Sequence, residues 1–371
     1  VAPKCADPKT TLPADAPKLE AGVWTQLNPS QVHYGNNAVD VFTQGLALDP
    51  CNPATIYLTA CTNPDDPGSN PGLYRSTNAG TTWTRLGPFD CPINVRVDPA
   101  NPLHLYVGQG VRGGTIGFWV SKDGGATWAQ PKGFADAVAK INDSDVYHVA
   151  PDPADFNHVL LSFHYYWYAG DTMGVIESFN GGDSFIVHDP IPGLHGGGGF
   201  GVFFLYEPKL GIGNNKTWLI GTQGLGHWRT TDAGNTWTKV TDNNMEHGGG
   251  QLYYTKEGTI FAGGNPNIMK STDNGVTWKL GENPDKKNWG YIGIIGDGTN
   301  LYTSGHDHYG EFQTSPESDG LVWRNYGTQI SDAGSFELAY DAANGIVYSA
   351  NEYDGLMALK VKPAQPAATQ P

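Results

Sequence analysis

Positive charge is scarce in this 371-residue chain: 22 Lys and Arg stand against 37 Asp and Glu, a formal net charge of −15. The basic residues are spread thinly and form no stripe, which argues against nucleic acid as a partner. No run of about 18 apolar residues occurs, so no membrane-spanning helix is expected. There are only four Met, and no long stretch alternates Glu, Lys and Leu, so a helical protein is not expected either. What the chain has instead is 50 Gly, 26 Pro and 11 Trp. That mixture belongs to many short strands joined by tight turns. Apolar residues make up 39%, enough to build a core.

Cysteine is equally sparse. All four, Cys5, Cys51, Cys61 and Cys91, fall in the first quarter of the chain and lack zinc-type spacing, so disulfides are expected. Three pairings exist. Two Asn-x-Ser/Thr sequons, at Asn142 and Asn215, and a first residue other than Met fit an exported, secreted protein whose signal peptide has been removed. The Pro/Ala/Gln-rich stretch 362–371 reads as a flexible tail behind one domain spanning 1–361.

One eight-residue pattern recurs: Ser76–Trp83, Ser121–Trp128, Thr230–Trp237 and Ser271–Trp278, with a weaker copy at Ser178–Phe185 and a degenerate one ending at Trp323. Copies lie roughly 40–57 residues apart, the length of a four-stranded propeller blade. In each copy Asp or Asn caps backbone N–H groups, Gly supplies a positive φ, and Trp packs between blades. These octets resemble the Asp-box, or bacterial neuraminidase repeat. The resemblance covers nearly the whole chain and implies an all-β, single seven-bladed β-propeller. It also implies that the box aspartates are structural and lie on hairpins remote from the binding face.

Alternating runs around the boxes place seven inner strands at 41–48, 93–97, 146–150, 201–206, 251–255, 291–295 and 336–340. The seventh blade has no outer strand of its own. The segment 22–27, Gly-Val-Trp-Thr-Gln-Leu, is expected to supply it and so close the ring from the N-terminus. In such a layout, inner-strand entries and second-strand exits share one face. Cys61 and Cys91 then sit on that face in adjacent blades, which favours Cys61–Cys91 and leaves Cys5–Cys51.

The entry face collects histidines and aromatics. His148, His164, His195, His247, His306 and His308 lie on it, beside the run His164-Tyr165-Tyr166-Trp167-Tyr168. Imidazole near neutral pH serves proton transfer or metal binding. His306 and His308 are the candidate ligands of a divalent metal near the channel. Aromatic rings at Tyr165, Trp167, Tyr168 and Trp289 are candidates for stacking on sugars. Arg112, His148, His195, Gln223, Asn265 and Glu352 complete the expected substrate-binding set.

Within the resembled superfamily a sialidase is not expected: it needs three arginines on a carboxylate, and here Arg112 alone is expected on the binding face. A monomeric enzyme acting on a polysaccharide or oligosaccharide is expected. Lyase-type β-elimination comes slightly ahead, with His164 or His247 as base and Tyr166 or Tyr309 as acid. Glycoside hydrolysis with carboxylates drawn from Asp40, Asp145 and Glu337 is the alternative. A sugar-binding propeller without turnover is the third reading.

Overall fold

The computed structural model describes residues 5, 9–33, 43–61, 68–164, 166–167, 172–195, 199–206, 215–246, 250–283, 290–305, 311–330 and 334–361. Seven antiparallel sheets follow one another along the chain and form a seven-bladed β-propeller. Their inner strands are Leu46–Asp49, Asn94–Val97, Val146–Asp152, Phe200–Phe204, Leu252–Tyr254, Tyr291–Gly296 and Ser335–Asp341. Each overlaps its expected position. We number the blades 1 to 7 by these strands.

Ring closure is as expected. Trp24–Gln26 pairs antiparallel with Gly355–Lys360, Trp24 opposite Leu359, and so becomes the fourth strand of blade 7. An N-terminal strand that closes the last blade removes an open edge and makes the ring depend on contacts between the two chain ends.

The octets build one repeated turn. In blade 2 the Ser121 hydroxyl donates to Asp123 Oδ1 at 2.8 Å and accepts the Gly125 N–H at 2.8 Å. Asp123 also takes the Thr127 N–H at 2.9 Å, and Trp128 Nε1 donates to the Gly125 carbonyl at 3.0 Å. Blade 5 repeats this with Ser271, Asp273, Gly275 and Thr277. The Thr127 hydroxyl, then its N–H and the Ser121 hydroxyl, hold the Asp123 carboxyl down at about 2, so the turn keeps its anionic acceptor across the working pH range.

Blade 2 departs from the expected pattern. Its sheet has three strands, Asn94–Val97, Leu105–Gln109 and Gly117–Ser121. The fourth strand expected at Trp128 shrinks to one bridge, Val120 to Ala129. The chain then enters the helix Lys132–Ile141. Phe134, Ala137 and Ile141 are its buried stripe, and Asn142 ends it in the left-handed region, φ 57°, donating its N–H to the Val138 carbonyl at 2.7 Å. Strand propensity after Trp128 is outweighed by the apolar stripe, which buries against Phe118 and Phe185.

Blade 3 buries a chain of charges near its octet turn. His158 bonds Asp152 at 2.9 Å and Glu177 at 2.8 Å, and Glu177 bonds His188 at 2.9 Å. Burial opposes charge on His158, but the two carboxylate bonds prevail and hold its pKa above the ordinary value.

The inner strands are cross-braced in the channel. Arg96 of blade 2 donates to Glu337 of blade 7 at 2.9 Å and to the Val149 carbonyl of blade 3 at 3.0 Å. Glu337 accepts the Leu46 N–H of blade 1 at 2.9 Å. His148 joins blades 3 and 4 through the Val202 carbonyl at 2.9 Å, and its Nε2 lies 3.3 Å from Arg96. Gln251, at the entry to blade 5, bonds the Ile294 N–H of blade 6 at 3.0 Å and the Leu338 carbonyl of blade 7 at 2.8 Å. All seven blades share this network.

Arg96→Met should destabilise the fold by about 1–3 kcal/mol, because it leaves the half-buried Glu337 without its counter-charge. Glu337→Gln placed on top should recover part of that loss. Urea unfolding of the two single variants and the double variant measures the coupling, and a purely additive result would show the pair to be independent.

Candidate functional site

The helix places the site. Its last residues deliver Asp143 to the entry face, immediately before the inner strand of blade 3. The Asp143 carboxyl is buried, 9% exposed. Its Oδ1 accepts the Asp145 N–H at 2.8 Å, while its Oδ2 has no hydrogen-bond partner among the described residues. Burial, and then the Asp145 charge, push the Asp143 pKa up to about 6, against the pull of the Asp145 N–H and of His164. The helix C-terminus directly before it adds negative potential of the same sense.

Asp145, two residues on, is engaged on both oxygens. Oδ1 accepts the Val111 N–H from the loop leaving blade 2, and Oδ2 lies 3.4 Å from His164 Nδ1. The His164 ring stacks on Tyr147, centroids 5.2 Å apart, and the Tyr147 hydroxyl accepts a hydrogen bond from Gln223 at 2.7 Å. Gly199 lets this stack form, since a Cβ there would come within 2.8 Å of the Tyr147 ring. Beside it lies a small cavity lined by Cys61, Cys91, Ile93, Val111, Arg112 and Tyr147. Both expected disulfides are present, Cys5–Cys51 with Cα atoms 5.3 Å apart and Cys61–Cys91 at 4.2 Å. The second of them walls this cavity.

The structure thus brings together Arg112, Asp145, His164 and Gln223 of the expected set. Other members stand elsewhere. His148 lies in the channel brace, where burial, then the Arg96 charge, lower its pKa to about 3 and keep it neutral. Trp167 has no exposed surface and packs edge-on against Phe163 in the blade 3 core. Tyr166 is half-buried against the apolar cluster of blades 3 and 4, and exposed His195 makes a β-bridge to Thr172. Asn265 donates to Glu246 at 2.7 Å, and Glu352 is buried. Glu337, weighed as a catalytic carboxylate, is the partner of Arg96. Asp40, Tyr165, Tyr168, His247, Trp289, His306, His308 and Tyr309 lie outside the described residues, as does the tail 362–371. Among the described residues no group of three His, Cys, Asp or Glu is arranged to hold a metal ion.

Asp143 was not among the catalytic candidates expected from the sequence. Nothing in the local sequence signals its burial, which comes from a helix packed between two blades. Arg96 and Gln251 were missed outright as channel residues; alternation along their strands is the signal that could have found them.

Fold and channel define the class: a seven-bladed β-propeller with a carboxyl-lined entry face. No family model matches the chain. It is 27% identical over 286 residues to a xyloglucanase of Hypocrea jecorina, covering 63% of this chain and 32% of that protein. It is 25% identical over 289 residues to a xyloglucanase of Paenibacillus sp, covering 66% and 26% respectively. The chain therefore spans about a third or less of the length of these curated relatives. Among solved structures, YCF48 from Cyanidioschyzon merolae superposes with a TM-score of 0.61 at 12% identity, covering 92% of this chain and 99% of that one. An ancestral GH74 enzyme superposes with a TM-score of 0.54 at 15% identity, covering 94% of this chain and 49% of that one. At such identities the structural likeness speaks for the fold alone.

The raised carboxyl has a cost for stability. An acid whose folded pKa exceeds its unfolded value of 3.8 contributes stability below that value and loses it as pH rises to about 6. Asp143→Asn should therefore be more stable than the unsubstituted protein at pH 7, by about 1–3 kcal/mol, with the gain vanishing near pH 4. Unfolding curves at both pH values test this, and equal stability at pH 7 would place the Asp143 pKa at its ordinary value.

Proposed function

We propose that the chain acts on a polysaccharide at the entry face of its channel, as a glycoside hydrolase in which Asp143 holds the proton donated to the leaving glycosidic oxygen. One observation carries the reading. A buried carboxyl with an unpartnered oxygen and a pKa raised to about 6 keeps its proton into mildly acidic solution where an ordinary aspartate has lost it, as acid catalysis of glycoside cleavage requires. The xyloglucanase relatives support the substrate class and set hydrolysis ahead of the β-elimination expected first from the sequence. For elimination, His164 would have to act as base while lying 3.4 Å from Asp145 and stacked on Tyr147.

Hydrolysis needs a second carboxylate. Asp145 and Glu337 are committed to other bonds, and Asp40, the third carboxylate expected from the sequence, lies outside the described residues. The two disulfides fit an oxidising compartment, and secretion is part of the same reading.

The test is a panel of plant, algal and microbial polysaccharides including xyloglucan, read by new reducing ends and by absorbance of new carbon–carbon double bonds. Reducing ends without double bonds are expected, with kcat/KM falling as pH rises through about 6, where Asp143 loses its proton. Asp143→Asn should lower kcat by about 10²–10⁴-fold and abolish that alkaline limb. Undiminished turnover by this variant, or double-bond products, would overturn the assignment.

A further inference from the structure

The loop leaving blade 2 on the entry face, residues 110–115, is gripped from two sides by carboxylates. Asp90 accepts the Gly114 N–H at 2.6 Å and the Thr115 hydroxyl at 2.9 Å. It also accepts from Gln109 at 2.5 Å, and the same Gln109 amide donates to the Arg112 carbonyl at 3.2 Å. From the other side Asp145 takes the Val111 N–H. Between the two grips Val111 has φ 69° and Gly113 has φ 90°. For a β-branched residue the left-handed region is a strained outlier, held only where surrounding bonds over-determine it. The grips also dictate glycine on either side of Arg112. A Cβ at 110 would lie 2.3 Å from Asp145 Oδ1, and one at 113 would lie 2.4 Å from Asp90 Oδ1.

Ordinary turn chemistry would put glycine at position 111 too, because glycine adopts positive φ without strain. The chain holds a valine there, inside the cavity that Arg112 and Tyr147 line. A loop ordered before binding loses less conformational freedom when a ligand arrives. A guanidinium offers a planar fork of donors suited to paired oxygen acceptors, such as those along a sugar chain.

We propose that residues 110–115 form a preorganised glycan-recognition loop, with Arg112 touching the ligand and Asp90 and Asp145 as positioning residues. This rests on the polysaccharide reading above. It adds that affinity at this site depends on stored backbone geometry as well as on the contact residue.

The experiment uses the full chain and xyloglucan as probe, with affinity-gel retardation, turnover, thermal unfolding and hydrogen exchange across residues 110–115. Arg112→Gln should weaken retardation by about tenfold. Val111→Gly should raise or preserve the unfolding temperature, speed exchange in the loop, and raise KM by about fivefold with kcat unchanged. Asp90→Ala should loosen the loop in the same way, and Asp90→Asn, which keeps an acceptor oxygen, should restore part of the affinity. A loosened loop in Val111→Gly with wild-type KM would overturn the proposal, as would an Arg112→Gln protein that binds normally. Failure of the unsubstituted protein to be retarded by xyloglucan would instead sink the polysaccharide reading, and this role with it.

Discussion

The guanidinium of Arg96 is the tie on which the rest of this ring depends. A propeller leaves the inner edges of its sheets facing a channel, where backbone groups and polar side chains have few partners and little water. Here Arg96 reaches Glu337 across the ring closure and Val149 in the next blade, and Glu337 passes the tie to Leu46. His148 and Gln251 carry it through the remaining blades. A half-buried ion pair of this sort contributes little net stability over an apolar substitute, yet removing one partner leaves the other charge without compensation. Its use here is geometric: it sets where each inner strand starts, and therefore where each entry loop projects.

On that rigid inner ring the entry face is built asymmetrically. Blade 2 differs from the others because a helix stands where its fourth strand would run. Its C-terminal end carries Asp143, and the next residues carry Asp145, which secures both His164 and the loop bearing Arg112. Beside this departure from the repeat lie a carboxyl whose pKa is raised to about 6, a stacked His–Tyr pair and a strained loop. Functional groups gather where the repeat is broken, as expected when sites are added to a scaffold whose other elements are fully committed to packing.

The octets were legible because their chemistry is local. A Ser or Thr, an Asp or Asn two residues later, a Gly and a Trp make a complete turn with no help from distant residues. Blade count and ring closure by residues 22–27 followed from the alternating runs around the octets, and the propeller layout they imply favoured both disulfide pairings. The helix was not legible, because a short apolar run after a strand-like Trp reads equally as a strand. Trp167 shows the same limit: its residue type fits a sugar platform, and only packing against Phe163 reveals it as core.

By itself, then, the sequence determined the repeat, the all-β class, the seven blades and their closure, since each is encoded within a few residues or in regular spacing. The tertiary structure alone decided which ionisable groups are buried, paired or held protonated. Arg96 and Glu337 are 241 positions apart and meet only because the ring closes. The Asp143 pKa rises to about 6 chiefly because burial disfavours its charged form. Desolvation and charge pairing are properties of neighbours in space, and neighbours in space are what a linear pattern does not contain.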